Sequence, residues 1–214
     1  MTITIREPGS ALTHLAAMVA AMIAAIPLLI KASAASVTAL LAMSVFIVSM
    51  ILLYGASTTY HTVNVREETL RIFKKLDHAM IFVLIAGSYT PVCLLILPIE
   101  KGYALLGLIW TIAVVGILIK MFFIYCPKWF SSVLYIAMGW VCVTVLSDLV
   151  RTLSTVSFAW LLTGGIIYTI GGIIYALKLP LFNARHKYFG SHEIFHCFVM
   201  GGSVCHYICF SSML

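Results

Sequence analysis

Two histidines, His192 and His196, stand four residues apart near the carboxyl end of the chain. On a helix that spacing puts both imidazoles on one face, where they suit a single tetrahedral zinc. The stretch reads His192-Glu193-Ile194-Phe195-His196, an HExxH pattern. In soluble metalloproteases the glutamate of that pattern is the general base. Here Glu193 is turned about 100° from the histidine face, so it reads first as a group serving the helix N-terminus and second as a base. A third ligand must come from elsewhere, and His61 is the best placed. Ser57 lies one turn before His61 on the same face and could hydrogen-bond a ligand, the water or the substrate; an ordinary backbone-bonded serine is the plain alternative. Asp77 sits in Lys75-Leu76-Asp77-His78, beside an apolar run. A carboxylate there could orient a ligand histidine or take a proton from a metal-activated water. It could also cap a helix. Three histidines with one open position make a catalytic zinc rather than a closed structural one.

The elements that must carry these residues are set by composition. Of 214 residues, 63% are hydrophobic and 9% charged. A soluble domain is about a quarter charged, and a disordered chain is poorer in aliphatics. A membrane span needs about 20 apolar residues. Seven charge-poor runs are long enough, at approximately 11–29, 38–61, 76–97, 103–121, 130–149, 156–178 and 191–213. Backbone facing lipid must satisfy its own hydrogen bonds, so these are helices. The expectation is an all-α, seven-transmembrane helix bundle, with residues 1–214 forming one integral-membrane domain. Apolar character continues to the last residue, so the first run is read as a span and not a cleaved signal. Gly164, Gly165, Gly171 and Gly172 would let helices approach closely. No internal repeat stands out.

Thirteen Lys and Arg are spread over short loops. They read as topology signals and not as a nucleic-acid surface. With the N-terminus in the cytoplasm, the inside set is Arg6, Arg66, Arg71, Lys74, Lys75, Lys120, Lys128, Lys178, Arg185 and Lys187. The outside set is Lys31, Lys101 and Arg151. Ten against three favours this orientation and puts the C-terminus outside. His14, His61, His78, His192 and His196 then share one depth at the cytoplasmic edge, with Asp77 and His78 opening the third helix. Ionisable groups at such depths are functional suspects.

The remaining polar residues have simpler readings. His206 lies ten residues past His196, about 15 Å deeper, and reads as a packed histidine. His78 points away from Asp77 and is left out of the ligand set. His186 lies in the basic stretch Arg185-His186-Lys187. Asp148 and Arg151 read as a local ion pair. The six cysteines show no CxxC spacing and read as small embedded side chains.

These residues carry a resemblance that covers nearly the whole chain. The segment from Glu7 to His14, the element Ser57-Thr58-Thr59-Tyr60-His61, Leu76-Asp77-His78, Gly87-Ser88-Tyr89-Thr90-Pro91 and the HExxH stretch occur in the order seen in the bacterial haemolysin III proteins. That family is grouped with the progestin and adiponectin receptors. The resemblance implies seven helices with the N-terminus inside, in a bacterial cytoplasmic membrane. It implies zinc held by His61, His192 and His196, with Asp77 near the metal and Ser57 behind it. The function it points to is a zinc-dependent hydrolase of a lipid amide or ester, ceramidase-like, using a metal-activated water near the cytoplasmic face. The partner is a membrane lipid, as substrate or ligand. A non-enzymatic lipid-state sensor or regulator, or a cytolytic pore, is the alternative class. Only about ten residues precede the first helix, which argues against hormone reception.

Overall fold

The computed structural model describes residues 5–177 and 189–214. Among them lie α1 (Pro8–Ala35), α2 (Val37–Thr62), α3 (Glu67–Leu95), α4 (Ile99–Phe122) and α5 (Lys128–Gly139). A 3₁₀ turn (Trp140–Val145) leads to α6 (Leu146–Thr152), then α7 (Thr155–Leu177) and α8 (Ser191–Ser212). Counting Lys128–Thr152 as one span, seven helical segments among the described residues are long and apolar enough to cross a membrane. The fold is therefore all-α, with seven apolar helices as a seven-transmembrane bundle requires. Lys178, Arg185, His186 and Lys187 fall outside the described residues.

Sequence chemistry sets the helix ends. Pro8 opens α1, where a missing N–H costs nothing. Ser36 separates α1 from α2, and its side chain accepts the Ala39 N–H at 3.0 Å. Pro98 and Pro127 stand immediately before α4 and α5. α3 begins at Glu67, so Asp77 and His78 lie inside this helix and do not open it, and Asp77 caps nothing. The reason is physical: hydropathy detects only the lipid-buried part of a helix. The polar stretch from Glu67 to Lys75 extends α3 beyond it, with Glu67 and Glu68 favourably placed at the positive end of the helix dipole.

The helices close into a ring. α1 packs on α2, α2 on α3, α5 on α7, α7 on α8 and α8 back on α1, with a lighter α3–α5 seam and α4 lying against the outside of α3. Glycines permit two of the close approaches. A Cβ at Gly171 would stand 2.6 Å from Phe198 Cβ, and one at Gly202 2.8 Å from the Tyr168 ring. Gly165 faces open space. Large apolar side chains such as Ile23, Ile26, Ile30 and Phe122 are exposed on the outer surface, as a lipid-facing surface demands.

The fifth span interrupts its own helical ladder, and α3 repairs it. The Tyr89 hydroxyl donates to the carbonyls of Gly139 at 2.6 Å and Met138 at 3.1 Å, and it accepts the Cys142 N–H at 2.9 Å. Orphan backbone groups in lipid are costly. Tyr89→Phe is expected to lower stability by about 1–3 kcal/mol, read as an earlier unfolding midpoint in detergent with metal content unchanged.

Two readings of charged residues are corrected here. Asp148 pairs with Lys101 of α4 at 2.7 Å, not with Arg151. Asp148 stands in the first turn of α6 and Lys101 in the first turn of α4, so the partner comes from a helix distant in sequence. Lys120 is not a loop residue: it is fully buried in the last turn of α4. Its ammonium donates to Ser131 Oγ and, at 3.1 Å, to Cys126 Sγ. The polar start of α5 folds back over it and replaces water.

Candidate metal centre

The ends of α1, α2, α3 and α8 that meet at one end of the bundle each contribute to one site. His61 is the second-last residue of α2, and His192 and His196 occupy the first two turns of α8. One ring nitrogen from each lies within 4.8 Å of the others. His61 and His196 are almost fully buried.

Hydrogen bonds fix which nitrogens are available. His61 Nδ1 donates to the Glu7 carboxylate, which leaves its Nε2 as a lone pair. His196 Nδ1 meets Thr13 Oγ1 at 3.1 Å. The Thr13 hydroxyl proton is already directed at the carbonyls of Gly9 and Ser10, at 3.0 and 2.9 Å. The threonine oxygen therefore accepts from His196, and the lone pair of that ring also sits on Nε2. His61 Nε2 and His192 Nε2 stand 3.2 Å apart. Two ligands about 2.0–2.1 Å from a tetrahedral zinc are about 3.3 Å from each other. The donor set and its spacing fit a metal ion.

The surrounding shell was largely missed from sequence. Glu7 holds His61 and also meets Arg6 at 3.3 Å. The His61 ring is the main reason its carboxyl sits below the usual range; partial burial opposes this and Arg6 reinforces it. Ser10 donates to Glu193. His14 stacks on His196, with centroids 3.6 Å apart and planes 10° from parallel. Neither of its nitrogens has a partner among the described residues. Glu7, Ser10, Thr13 and His14 fall at helical spacings of three or four. That periodicity was the available signal that the first turns of α1 face the site.

Of the sequence candidates, Glu193 is engaged at the helix start: its carboxylate accepts from Ser10 and from the Gly190 N–H at 2.7 Å. Asp77 is buried beside the histidines. Its nearest ion-pairing partner among the described residues is His78, at 3.5 Å. His78 Nδ1 donates to the Lys74 carbonyl at 3.0 Å. Ser57 is fully buried near the Asp77 carboxyl, but forms no hydrogen bond of ordinary geometry. His206 packs against Tyr168, with ring centroids 5.3 Å apart, and lies away from the cluster.

Two cavities meet at this cluster. A polar cleft of about 690 Å³ is lined by Glu7, His61, Asp77, His192 and Glu193 on the histidine side. Lys74, Tyr125, Cys126, Lys128 and Ser131 line it opposite. Cys126 lies between two spans. Burial pushes its thiol up, but contacts from Ser131 and the Lys120 ammonium outweigh this and hold it below the ordinary range. An apolar cavity of about 300 Å³ runs inward from His192, His196 and Asp77 to Val92, Leu146 and Leu149. Asp77, His78, Tyr175 and His192 line both.

A family model described as haemolysin-III related matches residues 3–207. A hemolysin-3 of Bacillus cereus is 37% identical over 204 residues, covering 95% of this chain and 89% of the relative. The hemolysin-3 homolog of Bacillus subtilis (strain 168) is 36% identical over 208 residues, covering 96% and 93%. The adiponectin receptor protein of Drosophila melanogaster is 25% identical over 187 residues, which span 78% of this chain and 41% of the receptor. With its seven apolar helices and buried three-histidine cluster, the chain belongs to the haemolysin-III-related family, as a multi-pass membrane protein distantly related to adiponectin receptors.

Proposed function

We propose that the protein is a zinc-dependent hydrolase of a lipid amide or ester, and that it sits in the membrane as one unit with its N-terminus in the cytoplasm. The observation that carries this reading is the position of the three histidines, where a polar cleft meets an apolar cavity. An amphipathic lipid can rest its chain in the cavity and bring its linkage to the histidines. A soluble peptide has no use for the cavity, which disfavours proteolysis despite HExxH. The ten-to-three distribution of basic residues supports the orientation.

His61, His192 and His196 would hold the ion, and three imidazoles favour zinc. Zinc bound there would polarise a carbonyl and lower the pKa of water. Asp77 takes the proton of the attacking water and returns it to the leaving group, and the buried Ser57 hydroxyl near that carboxyl is available to hydrogen-bond it. Glu7 and Thr13 fix the tautomers of His61 and His196. Glu193 holds the start of α8 against α1 through Ser10.

The name hemolysin borne by the Bacillus relatives raises a lytic or pore function. A conducting path needs polar groups along its length, and the inner cavity is lined mainly by apolar side chains. The test is metal analysis of the purified protein with a lipid-amide turnover assay. About one zinc per chain is expected, with turnover that is lost on chelation and restored by zinc. Protein that carries no metal, or zinc-loaded protein that turns over no lipid amide or ester, overturns the reading.

A further inference from the structure

The polar cleft has two chemically unlike walls, and the hydrolase reading uses only one. On the α1, α2 and α8 side its carboxylates are committed: Glu7 to His61 and Arg6, Glu193 to Ser10 and the Gly190 N–H. On the α3, α4 and α5 side stand lysines, together with Asp77 of α3, the third carboxylate that lines the cleft. Lys74 and Lys128 line the cleft. Their ammonium groups lie over the rings of Tyr125 at 4.8 Å and Tyr175 at 4.4 Å, contacts that hold long side chains along a wall. Behind them Lys120 is completely buried, and both of its hydrogen-bond partners, Cys126 and Ser131, face the cleft. Among the described residues no carboxylate pairs with Lys74 or Lys120. The N-terminus of the twelve-residue α5 opens at the same place and adds positive potential. A buried ammonium with no carboxylate partner is costly, and an anion held at this wall would offset that cost.

We propose that the lysine wall of the cleft binds an anionic group of the phosphate class. Two ammoniums lining one cleft, with a third buried against Cys126 and Ser131 of its lining, suit a multiply charged group with several acceptor oxygens. The apolar cavity shares Asp77, His78, Tyr175 and His192 with the lining of the same cleft. An amphiphile with a phosphate head can therefore place its head on the lysines, its linkage at the histidines and its chain in the cavity. This names a substrate class for the proposed hydrolase and rests on that reading for the placement of the linkage. A free phosphate offers the wall the same chemistry.

Cys126 is a built-in reporter, because it lines the cleft in contact with Lys120. The full-length protein in neutral maltoside detergent is titrated with hexadecyl phosphate, zwitterionic hexadecylphosphocholine or inorganic phosphate. Alkylation of Cys126 is followed by mass spectrometry. Hexadecyl phosphate is expected to slow alkylation, and hexadecylphosphocholine to need a concentration about tenfold higher or more. Lys74→Gln and Lys128→Gln, both at partly exposed positions, are each expected to weaken protection by hexadecyl phosphate about tenfold with unchanged thermal unfolding. Inorganic phosphate protecting as well as hexadecyl phosphate upholds the site and identifies a soluble anion as its source; protection by the amphiphile alone identifies a lipid head group. Equal protection by the zwitterion, or full protection in both variants as direct metal–phosphate binding would give, overturns the proposal. Loss of charge preference beside intact lipid-amide turnover leaves the hydrolase reading standing. Charge-selective binding without turnover of any lipid does the reverse.

Discussion

His192→Ala is expected to lose bound metal and, with it, turnover. His192 and His61 present Nε2 atoms 3.2 Å apart. Two imidazoles at that spacing suit one shared ion, and removing one leaves two nitrogens that cannot enclose it. Loss of an outer partner of a ligand costs about 10–100-fold in metal affinity; loss of a ligand itself should exceed that. The effect on stability follows by linkage. An ion that binds only the folded protein, at about a thousand times its dissociation constant, contributes about 4 kcal/mol. The variant should therefore unfold earlier than wild type in the presence of zinc, and the two should converge after chelation. His206→Ala is the control: it removes a buried imidazole that packs against Tyr168, away from the cluster, and should leave metal content intact. Metal retained by His192→Ala at wild-type affinity would remove His192 from the ligand set.

The number of apolar helices was legible because lipid imposes one rule. A span must be long, apolar and helical, and each of these is visible in composition. The convergence of histidines from α2 and α8 was legible because alternating spans return to the same depth. What composition could not provide was the identity of lateral neighbours. Depth placed His14 at the level of the site, but only the packing of α1 against α2 and α8 puts Glu7 and Thr13 on His61 and His196. Lys120 misled for a related reason. A lysine at the end of an apolar run reads as solvated, and its burial depends on the fold-back of α5, a tertiary fact. Asp148 misled because sequence shows only near partners such as Arg151, while Lys101 arrives from another helix. The start of α3 was hidden by the hydropathy criterion itself, which cannot see a helix that continues into water.

Asp77→Asn separates chemistry from metal binding. The substitution keeps side-chain volume and removes the charge. Asp77 is buried, and among the described residues no lysine or arginine pairs with it; the neighbouring His78 lies at 3.5 Å. A buried carboxylate with so little compensation is a cost to the fold. Its neutral isostere should leave stability unchanged or raise it. If Asp77 moves the proton of the attacking water, kcat should fall by about 10²–10⁴-fold at saturating zinc, with KM little changed because the lipid chain is held elsewhere. A rate that falls while stability holds or rises is the signature of a carboxylate kept for chemistry. Glu193→Gln should do the opposite. Its carboxylate holds Ser10 and the Gly190 N–H, so about 1 kcal/mol of helix-start stability is at stake and kcat should change little. If Asp77→Asn turned over lipid at the wild-type rate while Glu193→Gln did not, the base would be Glu193, and the proton path would run along the α1 side of the cleft.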